Sequence, residues 1–167
     1  SCGGWIYDSI MELPLLKKVI LIGPDEEAFS RVEPEFKEKV EFLSRERLLE
    51  MEETEVSAFV KNQVGEYPLY ISIDKDVLCE MDADTNWSQG DMRLSTMLEC
   101  LGAVKEKCAE RISRILGVDI CGECDVTEPG NSALNDMANA ALLEFFTSTD
   151  VGEDIEENKN GTTGGNG

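Results

Sequence analysis

The sequence predicts an α/β protein whose strands form a mostly parallel sheet. Three apolar runs, residues 19–22, 67–74 and 115–121, have the near-continuous hydrophobicity of strands buried on both faces. Segments with apolar residues at helical spacing separate these runs, and this alternation is typical of a parallel sheet. Ligands bind such sheets at the carboxyl ends of the strands, so the residues that follow each strand are the first functional candidates.

Turn and capping residues mark the ends of several predicted helices and strands. A short helix opens the chain, and the strand "VILI" stops at Gly23-Pro24. The run "KVEFLS" alternates as a short strand and ends at Ser44, a good helix cap. Three longer helices are predicted at residues 45–64, at residues 94–107 with Ser95 as the cap, and at residues 131–147.

The charge of the chain is strongly unbalanced. There are 35 acidic and 15 basic residues, which gives a net charge of −20. Nucleic acids and anionic membranes would be repelled by such a chain, so we expect neither as a partner. Metal ions and small cationic substrates are compatible with it, although many cytoplasmic proteins are acidic for solubility alone.

We expect one domain at residues 1–149 and a disordered acidic, glycine-rich tail at residues 150–167. No apolar run approaches the roughly 20 residues of a membrane span, and no secretory signal is recognisable. The six cysteines are irregularly spaced, which favours free thiols over a disulfide framework. The single pair Cys121-x-x-Cys124 is weak evidence for zinc in a chain without histidine. We therefore expect a cytoplasmic protein.

Two aspartates close the third strand, where apolar residues would be expected. Residues two apart in a strand point to the same side, so Asp74 and Asp76 would lie together while Lys75 points away. Two ionised carboxylates repel each other unless a cation neutralises them, and Mg²⁺ and Mn²⁺ prefer such oxygen ligands. Asp119 and Glu123 form a second acidic group at the end of the last strand. Asp119 either contacts the metal or accepts hydrogen bonds from nearby groups, and Glu123 either meets a cationic substrate or is a solvated loop residue.

Three segments, in order, resemble the arginase/agmatinase (ureohydrolase) family. "YISIDKDVL" is similar to the family motif S-x-D-x-D-x-x-D-P, and "TNWSQGDMRLSTML" resembles the glycine-containing turn that opens the next helix. "ILGVDICGE" resembles a later family strand that ends in an acidic substrate-binding residue. The resemblance extends over residues 1 to 147.

The resemblance implies a three-layer α/β/α fold with a mostly parallel sheet and a binuclear Mn²⁺ site. Asp74 would bridge the two ions and Asp76 would ligate one. Asp119 is a candidate to support these ligands on the ground of its place near the end of the last strand. The metals would activate a water that attacks the guanidino or amidino carbon of a small cationic substrate and breaks a linear C–N bond. Glu123 would bind the substrate, with the match shifted by one residue so that Gly122 stands at the acidic position.

Two departures from the family pattern change this expectation. Cys79 and Glu80 stand where the family motif continues to Asp-Pro, and the chain lacks the family's histidine-containing segments G-G-x-H and D-A-H-x-D. We therefore expect the C-terminal portion of a longer enzyme, with the N-terminal portion of the fold missing and the chain alone inactive. Exposed sheet edges would then favour self-association or pairing with the missing N-terminal part.

Two other functions remain open at this point. The missing histidines suit a non-catalytic interaction or assembly domain of the same fold. Alternatively, the acidic stretch Asp25-Glu26-Glu27 after the first strand suits a receiver-like or Mg²⁺-dependent phosphoryl-transfer domain.

Overall fold

The computed structural model of the protein describes residues 4–111, 114–123 and 132–148. Within these residues the strands are β1 (Val19–Ile22), β2 (Val40–Leu43), β3 (Leu69–Asp74) and β4 (Ile115–Cys121). The helices are α1 (Gly4–Glu12), α2 (Glu26–Ser30), α3 (Pro34–Lys37), α4 (Arg45–Glu50), α5 (Glu53–Gln63), α6 (Leu94–Arg111) and α7 (Ser132–Thr147). A 3-10 turn, η1 (Lys75–Val77), follows β3 directly. The predicted mixture of strands and helices is confirmed.

The strands pair in parallel, as the alternation with helices predicts. Within the described residues they form two pairs, β1 with β2 and β3 with β4, instead of one continuous sheet. Ile22 at the end of β1 nevertheless packs against both hydrophobic clusters of the protein, so the two pairs share one core. The carboxyl ends of β3 and β4 coincide, since Asp74 is the register partner of Cys121.

Two clusters of buried side chains make up the core. The first joins β3 to α6 and α7, and its buried members are Ile73, Leu78, Ala83, Met92, Met97, Leu101, Ala138 and Leu142. The second joins β2 to α5 and α6, and its buried members are Leu43, Val56, Val60, Val64, Cys100 and Ala103. Both clusters use α6, which therefore connects the two strand pairs.

Two helix predictions were wrong in detail. The helix predicted at residues 45–64 is two helices, because Met51 and Glu52 are extended and the Glu55 carboxylate accepts a hydrogen bond from the Glu52 amide. Ser44 caps the first of them as predicted, accepting from the Arg47 amide at 3.2 Å. Helix α6 begins before its predicted cap: the Leu94 amide donates to the Asp82 carboxylate at 2.9 Å, so the cap comes from twelve residues upstream.

The segment after η1 folds back on the turn. The amide of Met92 donates to the Val77 carbonyl, and the amide of Gly90 donates to the Leu78 carbonyl, each at 3.1 Å. A Cβ on Gly90 would overlap the Val77 carbonyl, and one on Gly23, whose φ is +105°, would overlap the Val77 side chain. The ends of β1, β3 and this loop therefore meet at Val77.

Several predictions fall partly outside the described residues. The tail at 150–167, Cys2 and Cys124 all lie there, so the Cys121-x-x-Cys124 pair is described only at its first cysteine. The four described cysteines, Cys79, Cys100, Cys108 and Cys121, are free thiols as predicted. None of the described helices combines the length and the apolar character that a membrane crossing needs.

Candidate functional site

The two aspartates of the third strand lie at the junction between β3 and η1. Asp74 is the last strand residue, and its Oδ1 accepts a hydrogen bond from the backbone amide of Asp76 at 3.1 Å. Strand alternation ends at this point because η1 begins at Lys75. The two carboxylates are therefore brought together by a tight turn, and the strand argument behind their predicted proximity was wrong.

The electrostatics of Asp76 are unfavourable for a carboxylate. Burial and the neighbouring charge of Asp74 raise the pKa of Asp76, while hydrogen bonds from the Thr85 side chain and the Ser88 backbone oppose the rise. The loop that carries Thr85 and Ser88 therefore contacts this carboxylate. The repulsion between the ionised Asp74 and Asp76 carboxylates costs free energy, and a bound cation would remove that repulsion.

The register of β4 adds a third carboxylate to this edge. Asp119 lies opposite Ser72, and its Oδ2 accepts a hydrogen bond from the Ser72 hydroxyl at 3.1 Å. At the end of β4, burial and the added repulsion from Asp74, Asp119 and Asp76 raise the pKa of Cys121 to about 11. The Cys121 thiol is therefore protonated at neutral pH in the metal-free chain and is not an activated nucleophile there.

Lys75 points away from the two aspartates, as predicted, but into the protein. Its side chain is 0% exposed, and its ammonium forms an ion pair with Glu123 and donates to Asn139 Oδ1 at 2.8 Å. The Asn139 amide donates in turn to Glu123 Oε1 at 2.9 Å. We call these three residues the Lys75 anchor. Sequence reasoning missed Asn139, whose one signal is its position beside the apolar stripe of α7.

The Glu123 carboxylate is already paired with the ammonium group of Lys75. Hydrogen bonds from Lys75 and Asn139, against a smaller effect of burial, lower the pKa of Glu123. The carboxylate that the resemblance assigns to a cationic substrate thus already binds an ammonium group, although its side chain remains 55% exposed. Of the four predicted site residues, Asp74 and Asp76 lie together at the β3–η1 junction, Asp119 lies on β4 opposite Ser72, and Glu123 belongs to the Lys75 anchor.

The described residues fit a metal site only in part. Across residues 4–111, 114–123 and 132–148, no three His, Cys, Asp or Glu side chains converge in a way that could hold a metal ion. Asp74 and Asp76 supply two carboxylates, one fewer than the three protein ligands of a typical catalytic metal site. No reaction step through a metal follows from these residues alone.

A second candidate site is a cavity that Val77 lines. A cavity of about 190 Å³ is lined by Gly23, Arg45, Leu48, Leu49, Val77, Asp91, Met92, Arg93 and Thr96. Its two arginines are already paired, Arg45 with Asp91 and Arg93 with Asp82. Nearby, Asp25 precedes α2, and the Glu26 amide donates to the Glu46 carboxylate at 3.2 Å.

Comparison with known proteins finds a distant relative. No family model matches the sequence. An uncharacterized protein of Thermotoga maritima is 32% identical over 150 residues, which make up 87% of this chain and 51% of that protein. The chain therefore spans about half the length of the curated relative it matches.

Proposed function

We propose that this chain is the C-terminal portion of a manganese-dependent, arginase-like hydrolase. In this proposal the fold is part of a three-layer α/β/α protein, and Asp74 and Asp76 contribute carboxylate ligands to a Mn²⁺ site. The complete enzyme would hydrolyse a linear C–N bond of a guanidino or amidino compound. The sequence resemblance to the ureohydrolases motivates the proposal, and the geometry at the end of β3 supports it.

The observation that carries the proposal is the carboxylate pair at the β3–η1 junction. Burial and Asp74 together disfavour the ionised form of Asp76. The lysine between the two aspartates is directed to Glu123 and Asn139 and does not neutralise them. A hard divalent cation bound by both carboxylates would remove the repulsion, because Mn²⁺ and Mg²⁺ prefer oxygen ligands.

The remaining ligands belong, in this proposal, to a part of the protein beyond the described residues. The Thermotoga relative supports this arrangement, since nearly half of its length has no counterpart in the matched region. Asp119 would support the pair from β4, where the Ser72 hydroxyl already fixes its carboxylate. Metal ligands are commonly oriented by such outer hydrogen bonds.

The test is a calorimetric titration of the 167-residue chain with MnCl₂. A site with two carboxylates should bind weakly, with a Kd of about 0.1–1 mM, the range of cation sites with few charged ligands. Asp74→Asn and Asp76→Asn each remove one ligand charge and should weaken binding at least about tenfold. Asp8→Asn removes the same charge from an exposed position on α1 and is the matched control.

Two results would contradict the proposal. The first is the absence of any Mn²⁺-dependent heat in the folded chain. The second is equal binding by the wild-type chain, Asp74→Asn and Asp76→Asn, which would assign the heat to nonspecific attraction by the net charge of −20.

One observation favours a second candidate, a non-catalytic interaction or assembly domain. The Lys75 ammonium occupies the Glu123 carboxylate that a cationic substrate would need. The longer coding sequence distinguishes the two candidates: upstream G-G-x-H and D-A-H-x-D segments would favour the hydrolase, and their absence would favour the assembly domain.

A further inference from the structure

We propose that Lys75 is a positioning residue, which fixes the turn between Asp74 and Asp76 against β4 and α7 so that both carboxylates are held ready for one cation. The inference rests on the proposed function, because it concerns the geometry of the proposed ligands. It assigns Glu123 to this internal anchor and not to a substrate.

Burial is the first part of the argument. A lysine side chain is almost never fully buried unless it is paired, and Lys75 is 0% exposed. Its partners lie far away in the sequence, Glu123 just beyond β4 and Asn139 in α7, and they also bind each other. One ammonium group therefore ties η1 to two other parts of the fold.

The backbone of the same turn is fixed from a second direction. Gly122 has a φ of +82°, and a Cβ at this position would lie 2.6 Å from Asp74 Oδ1, 2.7 Å from the Lys75 amide nitrogen and 2.9 Å from the Asp76 amide nitrogen. The chain leaving β4 thus lies directly on the turn, which requires a glycine. The Lys75 side chain holds the turn from inside while Gly122 holds its backbone.

Together these contacts leave the turn little freedom. The Asp76 amide bonds to Asp74 Oδ1, so a movement of the Lys75 backbone would change the separation of the two carboxylates. Ligands held in place by surrounding contacts bind a cation more tightly than mobile ones, and loss of such support typically weakens metal binding 10- to 100-fold.

The test compares Lys75→Met with Lys105→Met. Methionine nearly fills the volume of the lysine stem but cannot bind Glu123 or Asn139. Lys105 is a suitable control because its ammonium group also donates a hydrogen bond within the protein, to the Phe145 carbonyl at 2.7 Å, away from the turn. Mn²⁺ affinity is measured by calorimetry at a temperature where both variants are folded. We expect at least about tenfold weaker binding in Lys75→Met and no change in Lys105→Met.

A second measurement does not depend on metal. Exchange of the Asp76 backbone amide, followed by NMR, reports the hydrogen bond to Asp74 directly. We expect exchange several-fold faster in Lys75→Met than in the wild-type chain or in Lys105→Met. If Lys75→Met does not fold, Asn139→Leu removes one partner of the ammonium and takes its place in both measurements.

The outcomes separate this inference from the proposed function. Mn²⁺ binding that is equal in Lys75→Met and wild type overturns the positioning role and leaves the proposed function standing. No Mn²⁺ binding by the wild-type chain overturns the proposed function and the readiness of the pair for a cation, and amide exchange then decides only whether Lys75 fixes the turn. Unchanged exchange in Lys75→Met overturns it, and faster exchange supports it.

Discussion

The two strand pairs of the protein each carry an ion pair at their carboxyl ends, but only one of these ion pairs includes a fully buried charged group. Beyond β2, Arg45 pairs with Asp91, and their side chains are 35% and 39% exposed. Beyond β3, the Lys75 side chain is 0% exposed and pairs with Glu123. Water solvates the first pair on both sides, whereas only the protein surrounds the second ammonium group.

This difference determines what each pair does. A solvated pair contributes little to stability and is readily exchanged for water. A buried ammonium group must keep its partners, because without them it would lose several kcal/mol of solvation. The Arg45–Asp91 ion pair beside the cavity is therefore dispensable for the fold. The Lys75–Glu123 ion pair beneath the Asp74–Asp76 turn is required by it.

The largest expected effect on stability comes from removing the negative charge of each ion pair. Glu123→Gln leaves the Lys75 ammonium buried without its counter-charge, and we expect the free energy of unfolding to fall by about 3 kcal/mol. Asp91→Asn leaves Arg45 partly solvated, and the loss should stay below about 1 kcal/mol. Urea denaturation of both variants at one pH measures the contrast.

The same reasoning predicts an asymmetry within the buried pair. Lys75→Met leaves Glu123 alone, but that carboxylate is 55% exposed and water can solvate it. Lys75→Met should therefore destabilise the fold less than Glu123→Gln, although both break the same contact. Equal losses in the free energy of unfolding for Glu123→Gln and Asp91→Asn would show that burial of the Lys75 ammonium group does not make its ion pair more important than the Arg45–Asp91 pair.

A smaller effect on stability is expected at Val77, where the ends of β1 and β3 meet the loop that carries Gly90. Gly90→Ala would drive its Cβ into the Val77 carbonyl, a backbone group that cannot rotate away, and we expect a loss of about 2 kcal/mol. Gly102→Ala in α6 meets nothing within 4 Å and should stabilise the helix by up to about 1 kcal/mol. Thermal unfolding of the two alanine variants measures both. A Gly90→Ala protein as stable as the wild type would mean that the loop does not contact η1.

Local sequence patterns located the strands because continuous apolar runs stand out in the sequence, but the burial expected on both faces was wrong: β1 is only half-buried, and β4 ends in three exposed residues. The runs at 19–22 and 115–121 match β1 and β4 at both ends. The break between α4 and α5 was missed because Leu48, Leu49 and Val56 keep helical spacing across it. Periodicity records which face is apolar, and it does not record where backbone hydrogen bonds stop.

The candidate site was only partly predictable for a different reason. Asp74 and Asp76 stand out locally, because carboxylates at the end of an apolar strand are unusual. Lys75 gave no such signal, since lysine is ordinarily exposed and its partner Asn139 is 64 residues away. Contacts of this kind depend on which elements pack together, and a single sequence does not state that.

The smallest expected effect concerns two aspartates with opposite pKa shifts. Burial and Asp74 raise the pKa of Asp76 above its ordinary value of 3.8. Burial would also raise that of Asp82, but hydrogen bonds from Arg93 and the Leu94 amide outweigh it and lower the pKa of Asp82. A raised folded-state pKa means that the ionised group opposes folding above that pKa, and a lowered one means that it favours folding above 3.8.

At pH 7, therefore, Asp76→Asn should raise the free energy of unfolding slightly, by less than about 1 kcal/mol, and Asp82→Asn should lower it. As the pH falls, the gain in Asp76→Asn fades through the raised folded-state pKa of Asp76 and is gone below 3.8. The charge-dependent loss in Asp82→Asn fades only below 3.8, as the pH passes the lowered folded-state pKa. Urea denaturation at several pH values measures both curves. A loss of stability in Asp76→Asn at pH 7 would mean that the hydrogen bonds from Thr85 and Ser88 outweigh the burial and repulsion of the ionised carboxylate, which would remove the electrostatic reason for placing a cation there.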